Sequence, residues 1–538
     1  MSLRLSVRAF ALLFVAVFIP SLHAQQPSDS RAPAPKRELR AVWIATVANI
    51  DYPRTPTTDP VPLKEQYRNL LDQLDEIGIN TVIVQVRPAG DAFYNSQLAP
   101  WSRFLTGRQG QAPADGFDPL AFMIDETHQR GMEFHAWINP YRAANNLDST
   151  ALSPDHALYK HPDWLVTYGK GMYFDPGLPE VRQHLVEVVG ELVGKYDVDG
   201  IHVDDYFYPY PIANTPFPDS ASYLRYGQSF SSIQDWRRGN TDAFVQETHQ
   251  AIKKLKPWVV FGISPFGVWR NMSQDSVRGS ATRAGATSYD DLYADVLKWM
   301  ERGWIDYVAP QLYWNIGFAP ADYTTLLQWW SQYAIRHQVH LYVGHGAYKV
   351  GDNPEPAWKQ PAELPRQIDL CRRNVASTGS IFFSTKSVIN NPLGIKDSLR
   401  RMYQHLSLWP QREALQVLPL KQPELRRLRF REEGVRLQWR PNARDVELSK
   451  NIHYYAIYRF SGNEKQDLDR PGALIHISAF EPTGKKFTFY DRATQPGETY
   501  TYVITACNRA HVESPPSEAQ AIERTERGGR RVRNKPAG

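Results

Sequence analysis

The sequence predicts an α/β fold: a closed (β/α)8 barrel of the TIM type followed by an all-β sandwich. Three observations carry this. Short apolar, β-branched segments alternate with helical patterns over about 370 residues, which implies parallel pairing. The segments number eight, the count that closes a barrel. Past Trp409 the alternation stops, and short alternating strands separated by turn residues follow without a helix. A doubly wound open sheet is the competing arrangement, but no G-x-G-x-x-G follows any strand.

In chain order, the expected barrel strands are Leu39–Thr46, Asn80–Arg87, Met132–Asn139, Gly200–Asp205, Val259–Ser264, Ile305–Tyr313, His340–Gly346 and Ser380–Ser384. Leu70, Leu71, Leu74 and Ile77, stopped at Gly78, make one amphipathic helix. Val181, Leu185, Val188, Val189 and Leu192, entered at Pro179, make another. The later strands are Leu428–Phe430, Val435–Trp439, Tyr454–Phe460, Ala473–Ile477, Phe487–Tyr490 and Tyr500–Ala506. With Trp439 on an early strand, Tyr455 on the next and Tyr500-Thr501-Tyr502 suiting a tyrosine corner, this part resembles a fibronectin type III module.

The ends read differently. Arg4 and Arg8 precede an apolar run from Phe10 to Ile19 and then Pro20-Ser21-Leu22-His23-Ala24, the layout of a secretory signal peptide over residues 1–24. The run is shorter than the roughly 20 residues a membrane span needs, so no transmembrane segment is expected. Residues 25–37 are a Pro/Ala/Ser-rich linker, 38–408 the barrel, 424–522 the sandwich and 523–538 a basic disordered tail carrying Arg524, Arg527, Arg530, Arg531, Arg533 and Lys535. The expected product is exported, to the periplasm or cell envelope. Its C-terminal domain or tail would be free to meet an envelope partner.

Composition narrows the chemistry. With 62 basic and 57 acidic residues the net charge is +5, too small to call for a nucleic-acid partner. The two cysteines, Cys371 and Cys507, exclude a disulfide scaffold and a CxxC metal cluster. Fifteen Trp, 28 Tyr and 23 Phe supply flat faces of the kind that stack on sugar rings.

In such a barrel the reactive groups sit at the C-terminal strand ends. The fourth strand ends Gly200-Ile201-His202-Val203-Asp204-Asp205-Tyr206. Alternation turns Ile201 and Val203 to the helices and His202 and Asp204 to the axis, with Asp205 leaving the strand into the mouth. Adjacent carboxyls raise one pKa, leaving an acid beside an anion. The blander reading has one aspartate capping the next turn. Other strand ends add Arg87, Asn139, Tyr141, Arg142, Trp269, Arg270, Gln311, Tyr313 and Trp314, with Tyr206 following the pair: amides, arginines and aromatics suited to a polysaccharide cleft. Asp175, in Phe174-Asp175-Pro176-Gly177, is a reserve carboxylate or a turn.

The sixth strand ends in Gln311 and Tyr313 with no carboxylate, so the usual pair of flanking acids is not expected. Adjacent Asp204 and Asp205 suit substrate assistance, in which one aspartate orients a 2-acetamido group and the other protonates the leaving oxygen. Asp205 is expected as the general acid and Asp204 as its anionic partner. No cofactor is called for. His135, His202 and Asp204 share inward parity, which leaves a metal-dependent deacetylase or amidase as one rival. A non-catalytic glycan-binding protein is the other.

Taken together, Glu38–Thr46, Gly78–Val82, Ala136–Arg142, Phe174–Gly177, Asp199-Gly200 with Asp204–Tyr208, Gly262–Pro265 with Gly267–Asn271, and Ala309–Trp314 resemble the bacterial glycosyl-hydrolase-like family ten. The resemblance covers nearly the whole barrel. It implies a TIM-barrel glycosidase of the divisome-localised type, cleaving peptide-free peptidoglycan glycan between N-acetylmuramic acid and N-acetylglucosamine. This chain departs from the family type in lacking a lipid-anchor cysteine and in adding the sandwich and tail.

Overall fold

The structure, a computed structural model, describes residues 32–412, 419–442, 451–462, 464–479, 486–525 and 528–532. The expected signal peptide lies outside them. Eight parallel strands close a barrel in sequence order: β1 Leu39–Ile44, β2 Thr81–Arg87, β3 Glu133–Ile138, β4 Gly200–Val203, β5 Val260–Ile263, β6 Tyr307–Val308, β7 His340–His345 and β8 Ser377–Phe382, which returns to β1. A helix follows each strand: α1 Pro60–Ile77, α2 Pro119–Gln129, α3 Pro179–Lys195, α4 Ile233–Leu255, α5 Val296–Glu301, α6 Tyr323–His337, α7 Glu363–Arg373 and α8 Ile395–Met402.

Local chemistry sets the boundaries. Asp59 accepts the Val61 N–H ahead of α1, with Pro60 at the first helical position. Gly78 ends the helix at φ +90°, where a Cβ would stand 2.7 Å from the Tyr403 carbonyl oxygen. Strand β6 is only two residues long. Pro310 has no N–H for a ladder, so beyond Val308 the chain stays in line through isolated bridges of Gln311 to Phe266 and Gly344.

Parity on β4 is as expected: Ile201 and Val203 join the core between strands and helices, while His202 lies in the barrel interior with Trp43 and Tyr307. Between β3 and α3 the chain makes an unforeseen three-stranded antiparallel sheet, Arg142–Ala144, Leu165–Tyr168 and Gly171–Phe174, above the same rim.

The C-terminal part is antiparallel and all-β: β9 Glu424–Arg431, β10 Gly434–Arg440, β11 Ile452–Ser461, β12 Leu474–Ala479, β13 Phe487–Asp491, β14 Thr499–Asn508, β15 Gln520–Thr525 and β16 Gly528–Val532. One sheet runs β9-β10-β13 and the other β12-β11-β14-β15-β16, around a core of Val435, Leu437, Trp439, Tyr455, Ile457, Tyr502 and Ile504. At the start of β14 the Tyr500 hydroxyl accepts the Gln495 N–H at 2.8 Å. Two expectations about the ends change. Part of the expected disordered tail is strand β16, hydrogen-bonded to β15. The linker's last residues are pinned, since Lys36 and Arg37 both reach Glu513 of the β-domain, at 2.7 and 2.8 Å.

That domain, with the segment that leads into it, closes the N-terminal end of the barrel. Trp409 donates its indole N–H to Thr81 Oγ1 at 3.0 Å, and Arg412 ion-pairs at 2.6 Å with Glu133, the first residue of β3. Cys371 and Cys507 are buried, unpaired and in different domains. Among the described residues, no helix is long and apolar enough to cross a membrane.

Candidate active site

Where β4 ends, Asp204 and Asp205 leave the ladder together. Both are nearly inaccessible, at 4% and 3% exposure, yet both line one cavity of about 520 Å³ at the C-terminal mouth of the barrel. The cavity floor holds Trp43, Trp137, Gln85 and Ser264, and Phe266, Tyr313, Trp314, Tyr348 and Phe383 form aromatic walls. Phe266 meets Trp314 edge-on at 5.5 Å, and Tyr313 meets Tyr348 edge-on at 5.8 Å, leaving ring faces and edges to the opening. Two cations share the rim: Arg142, lying 4.6 Å over the Tyr206 ring, and Lys349, which donates to the Tyr313 carbonyl.

The two acids are held differently. Asp204 Oδ2 receives the Trp137 indole N–H at 3.2 Å and the Asn139 amide at 3.3 Å, and Oδ1 receives the Tyr206 N–H at 3.3 Å. These bonds are long. Burial, and then the charge of Asp205, push Asp204 up to about 7. Burial also raises Asp205, but the Tyr210 hydroxyl donates to its carboxylate and Gln311 supports the same anion. Burial thus favours the protonated form of both carboxyls, while the Tyr210 and Gln311 donors favour the anion at Asp205. The donors that favour an anion at Asp205 come from the following loop and from beyond β6, not from β4 itself.

Asn139, Arg142, Tyr206, Gln311, Tyr313 and Trp314 line the cavity as expected. Five expected residues do not. Alternation along β2 would turn Arg87 inward with Gln85, but a bulge between them breaks it, and Arg87 turns away to donate to the carbonyls of Asn139 and Pro140 at 2.8 and 3.0 Å. Tyr141 packs edge-on against Phe244 of α4 at 5.5 Å. Asp175 accepts the Gly177 N–H at 2.8 Å and the Ser222 hydroxyl, which is the turn reading. Trp269 is wholly buried between Tyr289 and Trp329. Arg270 is ion-paired to Asp290 at 2.8 Å.

The metal rival loses its ligands. Both ring nitrogens of His135 and of His202 are taken by neighbours: Glu133 and Tyr307 for the first, Tyr307, Ser264 and Trp43 for the second. Among the described residues, no group of three His, Cys, Asp or Glu is placed to hold a metal ion.

Trp43, Tyr210, Tyr348, Lys349 and Phe383 were not singled out as site residues. Trp43 and Phe383 carried a usable signal, being inward by parity on β1 and at the end of β8. Tyr210 stands on a loop, and Tyr348 and Lys349 on a single 3-10 turn after β7, and they carried none.

A closed parallel barrel with two buried acids at its mouth, under aromatic walls, defines a TIM-barrel protein of glycosyl-hydrolase-like architecture. The chain belongs to the family described as Glycosyl hydrolase-like 10, which matches residues 38–360. It is 45% identical over 515 residues to the protein named glycosyl hydrolase YngK of Bacillus subtilis (strain 168), covering 95% of this chain and 98% of that one. To glycosyl hydrolase DigH of Escherichia coli (strain K12) it is 39% identical over 398 residues, covering 69% of this chain and 89% of that protein. Among solved structures, the PgaB (BpsB) glycoside hydrolase domain of Bordetella bronchiseptica aligns with a TM-score of 0.43 at 14% identity, over 70% of this chain and all of that one.

Proposed function

We propose that this chain is an exported glycoside hydrolase that cleaves peptidoglycan glycan strands between N-acetylmuramic acid and N-acetylglucosamine, with peptide-free glycan as its substrate. The observation that carries the reading is that Asp204 and Asp205 stand side by side in one cavity with unequal partners, Asp204 held by long bonds and raised by burial to about 7, Asp205 held by the Tyr210 hydroxyl and Gln311. Asp204 gives its proton to the leaving glycosidic oxygen. Asp205, held by Tyr210 and Gln311, orients the N–H of a 2-acetamido group so that the amide oxygen attacks the anomeric carbon. Water then opens the cyclic intermediate and returns the proton to Asp204. The Asn139 Oδ1, buried at the cavity and without a partner, offers an acceptor to a sugar hydroxyl or amide. Arg142 and Lys349 suit the lactyl carboxylate that muramic acid exposes once its peptide is gone. The barrel is carried on a fibronectin type III-like domain facing other envelope components.

The test is to incubate purified protein with sacculi before and after amidase treatment and to identify products by mass spectrometry. Shortened glycan from the amidase-treated sample supports the reading. Retention of glycan without any shortening would make the barrel a binding module instead.

A further inference from the structure

The barrel axis holds a hydrogen-bonded chain that the proposed chemistry does not use. It begins at Glu133, where Oε1 lies 2.6 Å from Arg412 and 2.9 Å from His511 Nε2, both from the C-terminal part, and Oε2 lies 3.3 Å from His135 Nε2. His135 Nδ1 is 3.1 Å from the Tyr307 hydroxyl, which is 2.9 Å from His202 Nδ1. His202 Nε2 is 3.1 Å from the Trp43 indole nitrogen and 2.9 Å from Ser264 Oγ. Trp43 and Ser264 both line the cleft. The chain thus spans the barrel from the domain interface to the cleft floor.

Its protons can be placed. An indole N–H only donates, so His202 Nε2 is an acceptor and the His202 proton sits on Nδ1. The Tyr307 oxygen accepts that proton's bond and turns its own hydrogen to His135 Nδ1. His135 then carries its proton on Nε2, directed at Glu133. Every link runs the same way and ends on an anion. Around that anion stand Arg412, His511 and His135, with Asp199, His128 and His453 beside them at the start of β4.

We infer that Arg412, held to the C-terminal domain by the Arg509 and Ala510 carbonyls, sets the direction of this chain through Glu133, and that the direction fixes the Trp43 indole in the cleft floor. Arg412 donates to one carboxylate oxygen at 2.6 Å, with His511 Nε2 beside it, so the other is left as the acceptor that His135 requires. A proton placed on Glu133 would reverse each link. His135 would move its proton to Nδ1, Tyr307 would donate to His202 Nδ1, and His202 would carry its proton on Nε2, facing the Trp43 N–H donor to donor. One proton enters and none leaves. Arg412, Glu133, His135 and Tyr307 are therefore positioning residues acting on Trp43.

Glu133→Gln makes the reversal without changing shape. Its carbonyl turns to Arg412, and its NH2 then points at His135 Nε2. With histidine-selective 15N labelling, the wild-type spectrum should show His202 as the Nδ1–H tautomer and His135 as Nε2–H. Glu133→Gln should exchange both and shift the Trp43 indole resonance, and adding Tyr307→Phe should return His202 to Nδ1–H. Should Glu133→Gln fail to fold, Arg412→Gln should give the same exchange by letting Glu133 take up a proton, and Arg412→Lys should not. His202 as Nε2–H in the wild type, or an unchanged His202 tautomer in a folded Glu133→Gln or Arg412→Gln protein, overturns the inference. The tautomers are read whatever the cleft acts on, so this result stands apart from the glycosidase assay.

Discussion

The hydroxyl of Tyr210 donates to the Asp205 carboxylate, and this bond separates two adjacent acids that burial would otherwise treat alike. Removing it in Tyr210→Phe takes a donor from the anion, so the pKa of Asp205 rises further. The acidic limb of the pH–rate profile should move to higher pH, with kcat at pH 6 falling about 10-fold. A profile that overlays the wild type would show that Asp205 does not act as an anion.

Asp204→Asn and Asp205→Asn should each lower the release of reducing ends from peptide-free glycan by at least about 100-fold, the usual scale for losing a positioned acid or its partner. Circular dichroism should show both variants folded, because each side chain keeps its size. Wild-type rates in both would remove the pair from the chemistry.

Stability should carry the mark of Asp204. Its folded pKa of about 7 lies well above an ordinary carboxylate, so between roughly pH 4 and pH 7 the folded state binds more protons than the unfolded one. The contribution of this group to stability therefore falls as pH rises across that window. Asp204→Asn lifts the penalty: its unfolding free energy, and with it its Tm, should approach the wild type near pH 4 and exceed it at pH 8, the free energy by a few kcal/mol at most, since each pK unit is about 1.4 kcal/mol. A Tm difference that does not vary with pH would contradict the assignment.

The barrel was legible because its strands are short apolar runs broken by helices with clear stops, such as Ile77-Gly78. Asp204 was legible because parity holds on β4 from Gly200 to Val203. Parity failed at Arg87, where one inserted residue turns the side chain to the opposite face, and no local sequence signal marks that bulge. It failed again at Trp269, since only the β5–α5 loop's return against Trp329 decides that the ring is core rather than cleft. Tyr210 comes from a loop and Lys349 from a three-residue 3-10 turn, whose paths depend on tertiary contacts rather than on periodicity. Strand β16 was hidden because composition describes charge, not pairing: the same arginines read as a tail until β15 offers an edge.

The two rim cations give a substrate test. Arg142→Met and Lys349→Met should each raise KM for carboxylate-bearing glycan about 10-fold, the loss of one charge-assisted contact, with smaller changes in kcat. Glycan whose lactyl carboxylates have been converted to amides should show little difference between wild type and variants. An equal loss on both substrates would mean that the cations shape the cleft rather than read a charge.

The contact between barrel and β-domain should prove structural as well as directional. Arg412 ends against Glu133 at 2.6 Å, and both side chains are largely withdrawn from water, at 11% and 4% exposure. Truncating one partner of such a pair leaves an uncompensated charge, at a cost of about 3–5 kcal/mol. Arg412→Ala should therefore lower the urea midpoint by far more than Arg509→Ala, which removes a guanidinium from the exposed pair with Asp197 at the same interface. The double variant Arg412→Ala with Glu133→Ala should recover part of the loss, because the stranded carboxylate is gone. If the double variant is no more stable than Arg412→Ala, the loss came from packing around the arginine stem and not from the buried charge.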